Sequence, residues 1–302
     1  MGDKFSIAVN RLIASTIPWC LLILAQGILL TNFVYASPSG KEDITKVVSY
    51  VVEVQNKGGT YLTGVNVYIA IPLSRTPWQL LTDVKSTPPF KERLNKGDEG
   101  EFLLVTTDLP PYGIVPISIQ AKLKLFQEGE PGDKPSKEQE DYLLATRYNE
   151  SSNEKIIKSA LPLQRDTIAA TARAVSKWIN DTLSVTGYTE RRYGALYALE
   201  HGGGDCTEFA DLFVALLRVL KIPSRTITGM LLGDEVNIRA QNYHTWAEYF
   251  DGAKWQTTDP SRIKEDYKPG HYVAFGIQSS TDKVDVPRLF YTENSSVEIR
   301  WR

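Results

Sequence analysis

The sequence contains two cysteines, Cys20 and Cys206, and three histidines, His201, His244 and His271. Cys206 stands in Gly202-Gly-Gly-Asp-Cys-Thr-Glu208, just ahead of a long apolar run. Three glycines permit a tight turn and a close backbone approach. Asp205 suits a helix N-cap, and Glu208 three residues later completes a capping-box pattern. Cys206 then falls in the first helical turn, where free N–H groups and the helix dipole favour a negative sulfur. The same N–H groups can stabilise a developing oxyanion. A buried, inert thiol is the alternative, but glycines, cap and helix start together favour a reactive one.

A thiol nucleophile needs a base within hydrogen-bond reach and a third group to orient that base. His201 ends a helix and reads as a cap or surface residue, and His271 follows Pro269-Gly270 in a loop. His244 opens a strand-like run that continues through Asp251-Gly252 to Asp259-Pro260. An Asp-Gly pair between strands signals a two-residue hairpin turn. In that register His244 faces Asp259, Trp246 faces Thr257 and Glu248 faces Trp255, with facing Cβ atoms roughly 4.5–5.5 Å apart. A carboxylate there can hold one imidazole nitrogen and leave the other to the thiol. The inference depends on parity, because a one-residue slip puts the two side chains on opposite faces.

Two patterns of periodicity must position these groups. Residues 37–126 have a period of two. Val65, Val67, Ile69 and Ile71 alternate with Asn66, Tyr68 and Ala70, and Ile117 to Leu125 alternate with Ser118, Gln120, Lys122 and Lys124. Short alternating strands separated by turn signals, without a clear helix, predict a β-sandwich domain. It carries no concentration of chemistry-bearing residues, which suits a structural or substrate-presenting role. Residues 127–140 are charged and rich in Pro and Gly, as expected of a linker. Residues 141–302 then change period to 3.6. Helices are predicted over 166–183, 193–201 and 206–220, followed by alternating sequence, which makes this second domain α+β. In the first of these segments, Trp178 has the helical phase of a core residue.

Residues 1–36 read as an address. Asp3, Lys4 and Arg11 precede a mostly apolar stretch from Leu12 to Leu30, and Val34 and Ala36 fit a signal-peptidase site. Export with cleavage is the first reading; an uncleaved membrane anchor is the second, since the stretch could just span a bilayer. Cleavage would remove Cys20 and leave Cys206 as a solitary thiol. With 34 Lys+Arg against 36 Asp+Glu, the net charge is −2. That gives no basic excess for nucleic acid and no acidic tail. No EF-hand loop or Cys/His metal spacing occurs, so no metal or other cofactor is expected. Asn149, Asn180 and Asn294 begin glycosylation-type triplets.

Three blocks together resemble the transglutaminase-like superfamily of papain-like thiol enzymes. They are Gly204-Asp-Cys206-Thr-Glu-Phe-Ala210, Lys221-Ile-Pro-Ser-Arg225 leading to Gly229, and His244-Thr-Trp-Ala-Glu248 with Trp255 and Asp259-Pro260. Thr245 stands where the family usually has Ala, and Lys221 and Ser224 replace Gly and Ala. The resemblance covers residues 141 onward and implies a papain-like transglutaminase core. It also implies Cys206 as nucleophile, His244 as general base and then acid, and Asp259 as the orienting carboxylate. The implied substrate is a protein or peptide amide, converted through a thioester that water or a second amine resolves. The superfamily also has members without catalysis, so a peptide-binding module is the other class to weigh.

Overall fold

The computed structural model describes residues 42–97, 100–130, 140–189, 191–233, 236–262, 269–278 and 289–302. The proposed signal segment, Cys20 and most of the expected linker lie outside the described residues.

Alternation along the first third of the chain produces two antiparallel sheets. β1 (Ile44–Asn56) pairs with β7 (Ile114–Leu125), which also pairs with β4 (Gln79–Thr87) and so reaches β3 (Arg75–Thr76). The second sheet pairs β2 (Leu62–Ile71) with β6 (Glu101–Leu109) and β6 with β5 (Glu92–Asn95). Ile117, Ile119, Ala121, Leu123 and Leu125 are all buried and face Val65, Val67, Ile69 and Ile71 across one core, while the lysines between them stay exposed. Each such aliphatic side chain contributes about 1.5–3 kcal/mol when fully buried.

The end of the chain returns to these sheets. β14 (Phe290–Tyr291) pairs with β2, and β15 (Val297–Trp301) pairs with β1. Residues 290–301, expected in the second domain, therefore complete the first. The two regions also share packing. Met230, Leu232, Val273 and Phe275 join the sandwich core, and the buried Gln79 amide donates to Leu73 O and Ala274 O while accepting from Ala274 N. The described residues from 42 to 302 thus cluster as one compact unit.

The helical part is α1 (Glu154–Ala160), α2 (Ile168–Thr182), α3 (Ala195–His201) and α4 (Cys206–Val219). α2 starts two residues later than its periodicity suggests because Thr167 caps it by accepting from Ala170 N. α4 is the hub, with Phe209, Leu212, Phe213, Leu216 and Leu217 buried among the other helices. Trp178 packs at the margin of this cluster, as its phase implied.

One face of α4 lies on a four-stranded sheet ordered β12 (Trp255–Thr258), β11 (Tyr243–Phe250), β10 (Ser224–Leu231) and β13 (Tyr272–Gln278). The α+β class and the preceding β-sandwich match expectation. Asn149 does not remain a glycosylation candidate: it is buried, with its Nδ2 donating to Asp211 O and Oδ1. Asp211 also binds Arg192 through two nitrogens, at 2.7 and 2.5 Å. Among the described residues, no helix is long and apolar enough to cross a membrane.

Candidate active site

Cys206 opens α4, half-buried, and is a free thiol. The capping box is complete: Asp205 Oδ1 accepts from Thr207 N at 2.8 Å, and Glu208 Oε2 accepts from Asp205 N at 3.1 Å. Glu208 Oε1 also accepts from Tyr193 N. Burial, and then the neighbouring Asp205 charge, push the Glu208 carboxyl up to about 7 although these backbone donors oppose the shift.

The glycines before Cys206 serve the chain's own packing. Gly202 ends α3 in the left-handed region at φ +67°. A Cβ on Gly203 would lie 2.6 Å from Ser184 O, and one on Gly204 would lie 2.4 Å from Glu208 Cβ. These contacts admit β9 (Gly203–Gly204) beside β8 (Ser184–Val185), a two-stranded parallel pair. The next loop is tied to the cap, since Thr189 N donates to Asp205 Oδ2 at 3.0 Å.

The hairpin brings His244 and Asp259 together in a register different from the expected one. Phe250 pairs with Trp255 and Glu248 with Thr257, so four residues, Asp251–Lys254, make the connection instead of two. Asp251 Oδ1 accepts from both Ala253 N and Lys254 N, an Asx-type turn that stabilises the longer loop. The two extra residues preserve parity, so Asp259 stays on the His244 face, displaced diagonally. His244 Nε2 and Asp259 Oδ2 are 2.6 Å apart, and both residues are buried.

Cys206 lies near enough to act on the same imidazole electrostatically. With Nε2 engaged by the carboxylate, Nδ1 is the nitrogen left for the thiol. Burial alone would lower the imidazole, but the hydrogen bond with Asp259 and the charges of Asp259 and Cys206 outweigh it and raise His244 to about 9. Burial acts on Asp259 in the opposite sense. Its bonds to His244, Ser261 and Tyr272 prevail and hold it below the usual carboxylate range.

Several supporting groups escaped the sequence reading. Tyr272 Oη donates to Asp259 Oδ2 at 2.9 Å from the far strand β13, and Ser261 Oγ donates to Oδ1 at 2.7 Å. Ser261 was legible in principle, since an Asx-type turn places residue i+2 against an aspartate. Tyr272 had no local signal. Thr245, the residue that departs from the family pattern, accepts from Thr207 Oγ1 at 3.2 Å and ties β11 to the first turn of α4.

Behind the site, Gly229 pairs with His244 across β10 and β11. Arg225 Nη2 meets Glu248 Oε2 at 2.6 Å, with its guanidinium 3.9 Å from the centroid of Trp255. His201 stacks on Tyr197 and bonds its carbonyl, and His271 lies in the short turn Pro269–His271; neither is part of this cluster. Among the described residues, no group of three His, Cys, Asp or Glu is placed to hold a metal.

The family model of the transglutaminase-like superfamily matches residues 157–260, which include all three clustered residues. A Cytophaga hutchinsonii structure described as a "putative cysteine protease" is 19% identical, with a TM-score of 0.55 over 86% of this chain and 93% of its own. The periplasmic domain of TgpA from Pseudomonas aeruginosa is 15% identical, with a TM-score of 0.39 over 70% of this chain and 87% of its own. Red sea bream transglutaminase is 13% identical, with a TM-score of 0.32 over 75% of this chain and 50% of its own. No curated protein matches the chain. The Cytophaga likeness is one of fold, and it extends through the sandwich as well as the core. Over residues 157–260, this chain is similar to the transglutaminase-like superfamily.

Proposed function

We propose that the protein is an exported thiol enzyme that cleaves or transfers amide bonds of proteins or peptides. The observation that supports this most is the convergence of Cys206, His244 and Asp259 from a helix N-terminus and a hairpin. Cys206 gives its thiol proton to His244, and Sγ attacks the carbonyl carbon of the donor amide. The carbonyl electrons move onto oxygen, where N–H groups of the first α4 turn can stabilise them. Collapse breaks the C–N bond, and the imidazolium of His244 protonates the departing amine, leaving a thioester on Cys206. Water or a second amine then attacks, giving its proton to His244, and the thiol is released. Asp259 holds the imidazole in the orientation both steps require.

Export rests on the sequence of residues 1–36, whose apolar stretch and Val34/Ala36 pattern fit a signal segment.

The test is thioester trapping on the full chain with a peptide library, with and without an added primary amine. Acylation of wild-type Cys206, absent in Cys206→Ala, is the expected result. Release to acid identifies a hydrolase, and release to the amide identifies a transferase. Peptide binding without any acylation, equal in wild type and Cys206→Ala, would replace this reading with a binding module.

A further inference from the structure

A cavity of about 590 Å³ is lined by Tyr188, the turn at Ala240 and Gln241, Tyr243, Leu289, Phe290 and Trp301. Its size falls within the roughly 300–1,000 Å³ typical of ligand sites. The three segments around it have different anchors. Tyr188 precedes Thr189, which is bonded to Asp205, the cap of the helix that begins at Cys206. Tyr243 directly precedes His244 in β11, and its phenol lies within electrostatic reach of both Cys206 and Tyr188.

The opposite wall comes from the chain end that completes the sandwich. Phe290 pairs with Ile69, and Trp301 pairs with Val52 while its Nε1 donates to Ile238 O at 3.2 Å. The Trp301 ring stacks on Tyr50 and lies 5.7 Å from Phe290, centroid to centroid. Among the described residues that line it, none carries a charge. Tyr188 is 72% exposed, so an aromatic ring stands at the water-facing side.

We propose that this cavity is the pocket for a bulky neutral side chain, aromatic or large aliphatic, of the acyl donor next to the amide that Cys206 attacks. The inference rests on the reading of Cys206 as nucleophile and adds its specificity. It also gives the sandwich a part in that chemistry, since Phe290 and Trp301 reach the site only through their pairing with β2 and β1. A bulky apolar side chain gains by leaving water, whereas a charged one would be stripped of water with no partner of opposite sign among the described lining residues.

The experiment measures second-order alkylation rates of Cys206 in the full chain by intact mass. The probes are N-acetyl chloromethyl ketones of glycine, aspartate, phenylalanine and tryptophan, with iodoacetamide as the probe that carries no side chain. In each chloromethyl ketone reaction the sulfur attacks the methylene carbon, a C–S bond forms and chloride leaves. The phenylalanine and tryptophan probes are expected to react roughly 10–200-fold faster than glycine, with aspartate slowest. Ala240→Trp fills the cavity from an exposed turn and is expected to bring the phenylalanine rate down towards the glycine rate. Tyr188→Ala is expected to lower the phenylalanine rate severalfold.

Equal phenylalanine, tryptophan and glycine rates in wild type, or preference for aspartate, would overturn the pocket while leaving the thiol reading intact. So would a normal phenylalanine rate in Ala240→Trp. Failure of iodoacetamide to label wild-type Cys206 would overturn the thiol reading, and the pocket's assignment with it.

Discussion

His244 Nε2 lies 2.6 Å from Asp259 Oδ2, although the hairpin that carries them does not set the two residues directly opposite each other. The connection is two residues longer than a tight Asp-Gly turn, and the even increment keeps both side chains on one face. A diagonal pair in antiparallel strands remains within reach of long or ring side chains. The geometry therefore depends on parity and tolerates the change in register.

Asp259→Asn removes the negative charge that helps to raise His244 to about 9. The imidazole should titrate lower, visible in a histidine-resolved NMR titration. Turnover should fall by roughly 10²–10⁴-fold, the range for losing a correctly poised acid–base group. An unchanged His244 titration would show that the carboxylate does not set its charge.

Stability should carry the signature of the same pair. A group whose pKa rises on folding adds stability that is complete below its unfolded value and vanishes as pH rises through the folded one. For His244 that window runs from 6.5 to about 9. The wild-type Tm should drop across it more steeply than the Tm of His244→Gln. Asp259 acts in the opposite direction, since its contribution is present above its ordinary 3.8 and is lost as pH falls through the depressed value. Parallel Tm profiles for wild type and His244→Gln would contradict the linkage.

Tyr272→Phe deletes one donor to Asp259 Oδ2 and leaves the Ser261 bond to Oδ1. Folding should weaken by about 1.5–3 kcal/mol, typical of a hydrogen bond to a charged group. The carboxylate should titrate higher, moving the acid limb of the activity profile upward. A KM change with kcat and pH profile intact would assign Tyr272 to substrate contact instead.

Gly229→Ala should destabilise the core sheet. A Cβ there would sit 2.1 Å from Val273 O and 2.8 Å from the Trp246 ring, where β10 shifts register against β13. Relief requires backbone movement, so urea unfolding should show a loss of about 1–3 kcal/mol. Because Gly229 pairs with His244, the thiol alkylation rate should fall as well. Wild-type stability in this variant would mean that the two strands separate freely.

Arg225→Met strands the Glu248 carboxylate, which is buried and bonded to Arg225. The expected cost is about 3–5 kcal/mol by denaturant titration. Arg225→Met combined with Glu248→Leu should recover most of it, because the penalty lies in the unpaired charge. No recovery would place the cost in the lost stacking of Arg225 over Trp255.

Local chemistry made much of this legible from the sequence. Alternation fixed the inward faces of β2 and β7, and the Asp205/Glu208 box with its apolar stripe fixed the start and the phase of α4. Cys206 at a helix N-terminus and His244 on the same face as Asp259 follow from spacing alone, because helix caps and strand parity are properties of a few neighbouring residues. The hairpin register did not follow, because Asp251 stabilises a four-residue connection through its own backbone bonds.

Contacts between distant segments were decided by the tertiary structure. The Tyr272 bond to Asp259, the return of β14 and β15 to the sandwich, and the shared core around Met230 and Phe275 have no local pattern to announce them. Strand pairing across more than two hundred residues, as between Val52 and Trp301, is chosen by burial against the whole assembled sheet. The sequence alone thus specified the candidate groups and the faces that carry them. Folding determined which distant strands hold those groups and which aromatic rings line the nearby cavity, because those choices minimise exposed apolar surface over the whole molecule.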